Sequence, residues 1–110
     1  MQVQSQPMVM TESPAPGIVR LVLNKPDSFN ALSTEMLQSL QTALTAISTD
    51  ATWRVIILAA QGKAFSAGHD LREMRSLPDQ AYYTALFALC SKVMMQIQQL
   101  PQPVVAQVQG

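Results

Sequence analysis

A serine, a histidine and an aspartate lie within five positions in the segment AFSAGHDL, which runs from Ala64 to Leu71. These residue types form the triad of many hydrolases, so nucleophilic catalysis is the first hypothesis for the segment. A serine-hydrolase elbow needs glycine two residues before and two residues after the serine, and Ala64 occupies the first of these positions. Triad members also come from separate chain segments, because close neighbours on one turn cannot stack as nucleophile, base and orienting group. The sequence therefore argues against a triad.

Metal and nucleotide sites fare no better in this segment. His69 is the single histidine of the sequence, and with the adjacent Asp70 it supplies at most two metal ligands. Phosphate-binding loops and dinucleotide fingerprints need two or three glycines, and this loop has one, Gly68. What remains is a backbone device. Gly68 permits positive φ or the close approach of a ligand, and the peptide N–H of His69 stands at the start of a predicted short helix, where it can bind developing negative charge. On this interpretation the His69 side chain is incidental.

The elements that must position this loop begin with two apolar strands. IVRLVL, residues 18–23, is apolar at nearly every position, which indicates a strand covered on both faces. Residues 7–11 are predicted to pair with it as a hairpin across the Ser-Pro-Ala-Pro-Gly turn, residues 13–17. VIILAA, residues 55–60, is the second buried strand.

A helix over residues 34–48 separates these two strands. Ser33 is its predicted N-cap, and its core residues recur at helical spacing: Met36, Leu37, Leu40, Leu44 and Ile47. Strand, helix and strand of these lengths predict a parallel, right-handed crossover unit. Residues 61–69 then form the loop at the carboxyl end of the second strand, which is the edge where open α/β sheets bind ligands.

The rest of the chain predicts two helices and a strand. Residues 70–75 indicate one or two helical turns, Asp79 caps a helix over residues 80–99, and residues 104–108 form a third strand. The longer helix has an apolar stripe that we expect to face the core: Tyr83, Phe87, Cys90, Met94 and Ile97.

Composition excludes several classes of protein. Seven Lys and Arg balance seven Asp and Glu, so no net field attracts nucleic acid or an anionic membrane. The single cysteine, Cys90, excludes a disulfide framework within the chain. Charged residues make up 13% of the chain, which predicts that part of the surface meets more protein. Because the sequence has neither a long apolar span nor a signal-peptide pattern, it predicts a cytoplasmic protein without a membrane segment.

Three separated blocks resemble the crotonase, or enoyl-CoA hydratase/isomerase, superfamily. LNKPDSFNAL (residues 23–32) is similar to the family's strand-end block, VIILAAQGKAFSAGHDLREM (residues 55–74) to its CoA and oxyanion block, and LPQPVVAQVQG (residues 100–110) to the strand before its second block. The resemblance implies the amino-terminal portion of a crotonase-like ββα spiral fold. Residues 1–7 are rich in Gln and are expected to be a disordered tail, and the resemblance implies a partial domain over residues 8–110 that stops before the second oxyanion block.

The resemblance assigns roles to residues of the AFSAGHDL loop. It implies that the N–H of His69 is one of two donors that polarise the thioester carbonyl of an acyl-CoA. Ala67 and Leu71 would line the adenine and pantetheine path, and the basic side chains of Lys63 and Arg72 are candidates for the CoA phosphates, the alternative for both being a solvated surface charge. The full candidate set for substrate binding is Lys63, Ala67, Gly68, His69, Asp70, Leu71 and Arg72. Asp70 is also expected to cap its own helix, and Asn30 to brace a loop as an amide.

For the full-length protein, the resemblance implies hydration of a 2-enoyl-CoA, a lyase reaction of fatty acid metabolism. The alternatives are a noncatalytic acyl-CoA-binding paralogue, an enoyl-CoA isomerase or an acyl-CoA hydrolase of the same fold. We expect no cofactor, since coenzyme A is part of the substrate, and no nucleic acid or membrane partner. The resemblance further implies a homotrimer or a dimer of trimers.

Overall fold

The structure is a computed structural model of the 110-residue chain, and it describes residues 7–28, 30–62, 65–66, 68, 71–76 and 79–108. Four strands and three α-helices lie in these ranges, together with a 3-10 turn at Pro26–Ser28. In chain order they are β1 (Val9–Ala15), β2 (Ile18–Leu23), α1 (Thr34–Ser48), β3 (Val55–Ala60), α2 (Leu71–Ser76), α3 (Gln80–Gln99) and β4 (Val104–Ala106). The predicted α/β class is confirmed.

The strands form one mixed sheet in the order β1-β2-β3-β4. β1 is antiparallel to β2, whereas β2 and β3 are parallel with Ile18 opposite Val55 and Leu23 opposite Ala60. β4 continues the parallel part, and its three residues pair with residues 56–58. The predicted parallel unit is therefore present, and β2 and β3 end at the same edge of the sheet, where the candidate loop begins.

The hairpin turn is tighter than the sequence predicts. β1 continues through the expected turn to Ala15, so the turn itself is formed by Pro16 and Gly17. A register shift between Glu12 and Ala15 accommodates the extra residues, and Pro14 is tolerated because β1 is an edge strand of this sheet.

Helix α1 matches its prediction in both bounds and buried face. The Ser33 hydroxyl accepts a hydrogen bond from the N–H of Met36 at 3.1 Å, which satisfies one of the free donors of the first turn. All five predicted core residues are buried, at 0–4% exposure: Met36, Leu37, Leu40, Leu44 and Ile47. They pack in one cluster with Val19, Leu21 and Ile56 of the sheet. Helix α1 thus fixes the span between the end of β2 and the start of β3.

The predicted core stripe of α3 is wrong in part. Leu86 and Val93 are the buried residues of this helix, whereas Phe87 is 46% and Met94 is 42% exposed. Cys90 and Ile97 are half-buried against the core, and Tyr83 is half-buried with its hydroxyl donating to the carbonyl of Met74 at 3.0 Å. Apolar residues occupy two neighbouring stripes of α3, so helical periodicity alone does not select the face that packs. The short helix and the last strand also differ from prediction by one or two residues at their ends.

Two methionines in helices give a matched test of this core. Met36 of α1 is fully buried and Met95 of α3 is 53% exposed. We expect Met36→Ala to lower the free energy of unfolding by about 3 kcal/mol, because it removes buried methylene groups and leaves a cavity. Met95→Ala has the same chemistry and helix context and should change it by less than about 0.5 kcal/mol. Urea unfolding measures both values, and equal losses would contradict the packing described here.

Candidate functional site

The candidate site is the loop that leaves β3, and the structure describes it in part. Among the seven predicted substrate-binding residues, Gly68 is described fully, and Leu71 and Arg72 are placed in α2 as the first two residues of that helix. Lys63, Ala67, His69 and Asp70 lie outside the described residues, so the roles assigned to these four remain predictions.

A buried asparagine joins the two strand ends next to this loop. Asn30 is 0% exposed and has a φ of 53°, a left-handed conformation that asparagine tolerates better than most residues. Its Oδ1 accepts from the N–H of Lys25 at 2.8 Å, and its Nδ2 donates to the carbonyl of Gln61 at 2.8 Å. Lys25 follows β2 and Gln61 follows β3. The amide therefore braces both segments, as the sequence predicts.

The backbone of the same asparagine holds the middle of the loop. The hydroxyl of Ser66 donates to the carbonyl of Asn30 at 2.9 Å and accepts from the N–H of Gly68 at 3.1 Å. Asn30 thus contacts Gln61, the first residue of the loop, through its side chain. Its carbonyl contacts Ser66, which in turn binds Gly68.

Two further contacts complete a docking segment, which we define as residues 30–34. The N–H of Leu32 donates to the carbonyl of Gly68, and the N–H of Thr34 donates to the carboxylate of Glu73 at 3.0 Å. Thr34 begins α1 and Glu73 lies in the first turn of α2, so this carboxylate also stabilises the positive end of a neighbouring helix. Residues 30, 32 and 34 therefore bind successive parts of the chain that leaves β3.

The glycines of the loop have different reasons for being glycine. Gly62 has a φ of +89°, and a Cβ there would lie 2.7 Å from the Cβ of Pro26, so it combines a left-handed conformation with close packing. Gly68 has a φ of +83°, and a Cβ would meet nothing within 4 Å. Its conformation requires glycine, while the space beside it is open among the described residues.

Other polar clusters lie away from this edge. Arg20 and Glu12 form a 3.2 Å ion pair across the β1–β2 hairpin. The hydroxyl and the N–H of Thr52 donate to Asp50 and lower the pKa of that carboxyl, which is exposed in the turn before β3, at the opposite end of the strand from Gln61. Within the ranges that the structure describes, no cluster of three or more potential metal ligands is found, and no helix is both long and apolar enough to cross a bilayer.

Comparison with known proteins identifies the family. The family described as enoyl-CoA hydratase/isomerase matches residues 14–110. The chain belongs to this family, whose members bind acyl-CoA thioesters, and the structural relatives below confirm the crotonase fold. The histidine after Ser-Ala-Gly and the later segment CSKVMMQI resemble one branch, enoyl-CoA hydratase domain-containing protein 3, and the curated relatives confirm that the chain belongs to that branch.

Two curated relatives carry that branch name. The protein of Xenopus laevis is 44% identical over 86% of this chain, and the protein of Homo sapiens is 40% identical over 97%. The chain spans 32% and 35% of the length of these two proteins, about a third of each. Both names include the word mitochondrial, as do those of three further vertebrate relatives. The predicted cytoplasmic location is therefore wrong, because the absence of a recognisable signal in the sequence does not determine the compartment.

Two solved structures support the fold. A crystal structure of an enoyl-CoA hydratase from Mycobacterium smegmatis superposes with a TM-score of 0.90 at 48% identity, over 94% of this chain and 40% of that one. The crystal structure of human enoyl-CoA hydratase domain-containing protein 3 has a TM-score of 0.87 at 39% identity, with the same shares covered.

Sequence reasoning missed most of the contacts that hold the loop. A serine two residues before a glycine is a signal for a local hydroxyl turn, but nothing in the sequence shows that Ser66 also reaches Asn30, 36 residues away. Glu73 reads as a partner for its own helix, and the structure places it on the N-terminus of α1 instead. Leu32 contributes through its backbone, which carries no sequence signal.

The bracing role of Asn30 can be tested with a substitution that keeps its backbone conformation. Asn30→Gly allows the positive φ but leaves the N–H of Lys25 and the carbonyl of Gln61 without their partner. We expect a loss of about 2–3 kcal/mol in the free energy of unfolding. Asn24→Gly is the control, because Asn24 donates its one observed side-chain bond to the carbonyl of Pro7 at an exposed position, and it should cost less than about 1 kcal/mol. A smaller loss for Asn30→Gly than for Asn24→Gly in urea unfolding would refute the role.

Proposed function

We propose that this chain provides the thioester-binding edge of an enoyl-CoA hydratase, which adds water across the double bond of a 2-enoyl-CoA. One observation carries the proposal: Gly68 is held in a left-handed conformation with its carbonyl hydrogen-bonded to Leu32, beside space that is open among the described residues. The family supplies the substrate class, and the geometry at Gly68 supplies the reason why this loop can act on it.

The peptide that joins Gly68 to His69 is planar, so the direction of its carbonyl sets the direction of its N–H. In a trans peptide the carbonyl and the N–H point in opposite directions. Because the carbonyl of Gly68 is turned toward Leu32, the N–H of the same peptide, which belongs to His69, is expected to point away from residues 30–34. A donor directed in this way is available to the thioester oxygen, where negative charge develops as the enolate forms.

The remaining predicted site residues follow the path of the coenzyme. In this proposal the backbone of Ala67 meets the adenine amino group, Leu71 lines the pantetheine path, and Lys63 and Arg72 bind the phosphates. Arginine suits phosphate because its guanidinium offers a planar fork of donors, and lysine acts as a point charge. Asp70 is proposed to cap the helix that follows it. No separate cofactor takes part, because coenzyme A enters with the substrate.

In this proposal the acids of the hydratase reaction lie outside these 110 residues. We therefore expect a protein of the relatives' full length that contains this chain to hydrate crotonyl-CoA, which the loss of enoyl-thioester absorbance measures. The 110 residues alone should show no turnover. Turnover by the short chain would contradict this division of the site, and binding of crotonyl-CoA without turnover by the full-length protein would favour the noncatalytic acyl-CoA binder. Movement of the double bond, or release of free CoA, would favour the isomerase or the hydrolase.

The proposed donor can be separated from its side chain by two substitutions at one position. His69→Pro removes the N–H, and loss of one donor of this kind typically lowers kcat by about 10²–10³-fold. His69→Ala keeps the N–H and removes the imidazole, so kcat should stay within about threefold of the original. Circular dichroism of both variants is the control for folding. Similar kcat values for the two variants would show that the N–H is not the functional group.

A further inference from the structure

Ser66 uses its hydroxyl in both directions at the candidate site. It is half-buried, it donates to the carbonyl of Asn30, and it accepts from the N–H of Gly68. We propose that Ser66 is a positioning residue, which acts together with the Leu32 contact to set the orientation of the peptide after Gly68 and thereby the polarisation of a bound thioester carbonyl. This inference rests on the proposed function, and it concerns a residue outside the predicted substrate-binding set.

The carbonyl of Asn30, which accepts from Ser66, is held rigidly. Asn30 is fully buried, and its side chain bonds to Lys25 on one side and to Gln61 on the other. The N–H of Asn30 also donates to the carbonyl of Lys25 at 2.9 Å. The position of the Ser66 hydroxyl is therefore fixed relative to the ends of β2 and β3, and not only relative to its own turn.

Ser66 also restrains Gly68, a residue with little conformational restraint of its own. Glycine has the widest conformational freedom of all residues, so its φ and ψ depend on what its backbone groups contact. Ser66 holds the N–H of Gly68 and Leu32 holds its carbonyl, so both backbone polar groups of one glycine are fixed. Without the hydroxyl, the peptide after Gly68 keeps its carbonyl contact with Leu32, but the φ of Gly68 is no longer restrained through its N–H, so that peptide can tilt about its hydrogen bond to Leu32.

A positioning role of Ser66 differs from a purely stabilising role in what it changes. The hydroxyl donates its one proton to Asn30 and accepts from Gly68, so both of its observed bonds are to the protein. Its effect should appear at the thioester oxygen, where a small rotation of the donor weakens a charge-stabilising hydrogen bond. Removal of the hydroxyl should therefore lower kcat more than it raises KM, because that hydrogen bond strengthens as negative charge develops in the transition state.

The test uses the full-length protein with Ser66→Ala, Ser66→Thr and a matched control, Ser48→Ala. Ser48 lies at the end of α1, where its exposed hydroxyl donates to Thr45, so the same oxygen is removed far from the loop along the chain. We expect Ser66→Ala to lower kcat for crotonyl-CoA about tenfold with KM changed less than about threefold. Ser66→Thr, which restores a hydroxyl, and Ser48→Ala should both stay within about threefold of the original.

Infrared spectroscopy of bound crotonyl-CoA supplies the readout that a purely structural role would not move. Polarisation lowers the stretching frequency of the thioester carbonyl in the original protein, and Ser66→Ala should return it toward the value of the free thioester, with Ser66→Thr restoring it. An unchanged frequency or kcat in Ser66→Ala overturns the positioning role and leaves the proposed function standing. Absence of a shift in the original protein overturns the proposed function, and the role of Ser66 with it.

A second variant covers the case in which Ser66→Ala does not fold. Ser66→Cys nearly keeps the side-chain volume and replaces the hydroxyl by a weaker donor and acceptor. The positioning role predicts a carbonyl frequency between those of the original protein and the free thioester. A frequency equal to that of the original protein in folded Ser66→Cys refutes it.

Discussion

Two parallel strands that end side by side leave backbone N–H and carbonyl groups that need hydrogen-bond partners. In this chain the side-chain amide of Asn30 bonds one such group after each strand. Asn30 accepts from the N–H after β2 and donates to the carbonyl after β3, in a place closed to water. A buried polar group without a hydrogen-bond partner lowers the free energy of unfolding by about 1–3 kcal/mol. The amide of Asn30 avoids this loss at the ends of β2 and β3. The left-handed φ of Asn30 also turns its carbonyl toward Ser66 and the loop. The geometry of the candidate site depends on this junction.

The loop after β3 is held at intervals by hydrogen bonds to a short segment of the chain, residues 30–34. Residues 30, 32 and 34 contact it through Asn30, the N–H of Leu32 and the N–H of Thr34, while Glu73 and Ser66 provide the matching side-chain acceptors and donors. Among the described residues, the space next to Gly68 is open, since a Cβ there would meet nothing within 4 Å. Gly68 is thereby held at both backbone polar groups beside open space, which are the two conditions that a polarising backbone donor has to meet.

Sequence reasoning reached the parts of this structure in which one residue type has one physical outcome. Helix α1 has a serine cap and a single apolar stripe, so its bounds and its core face follow directly from the pattern. Helix α3 has two apolar stripes, and tertiary packing selects Leu86 and Val93 over Phe87 and Met94. At the site, Gly68 could be singled out because glycine permits positive φ, and Asn30 because its side-chain amide can brace a loop. The contacts of Ser66 and Glu73 could not, because they depend on pairing between segments that are 36 and 39 residues apart.

These long separations bear on the order in which the molecule assembles. Closing a chain of 31 residues between Asn30 and Gln61 costs conformational entropy that one hydrogen bond does not return, so the contact becomes favourable after β3 has docked beside β2. The same holds for Ser66 and Glu73, which can reach residues 30–34 only when α1 already packs on the sheet. The loop is therefore expected to acquire its native conformation late in folding, after the hydrophobic nucleus has formed. In a nascent chain, competence to recognise a ligand would lag behind compaction.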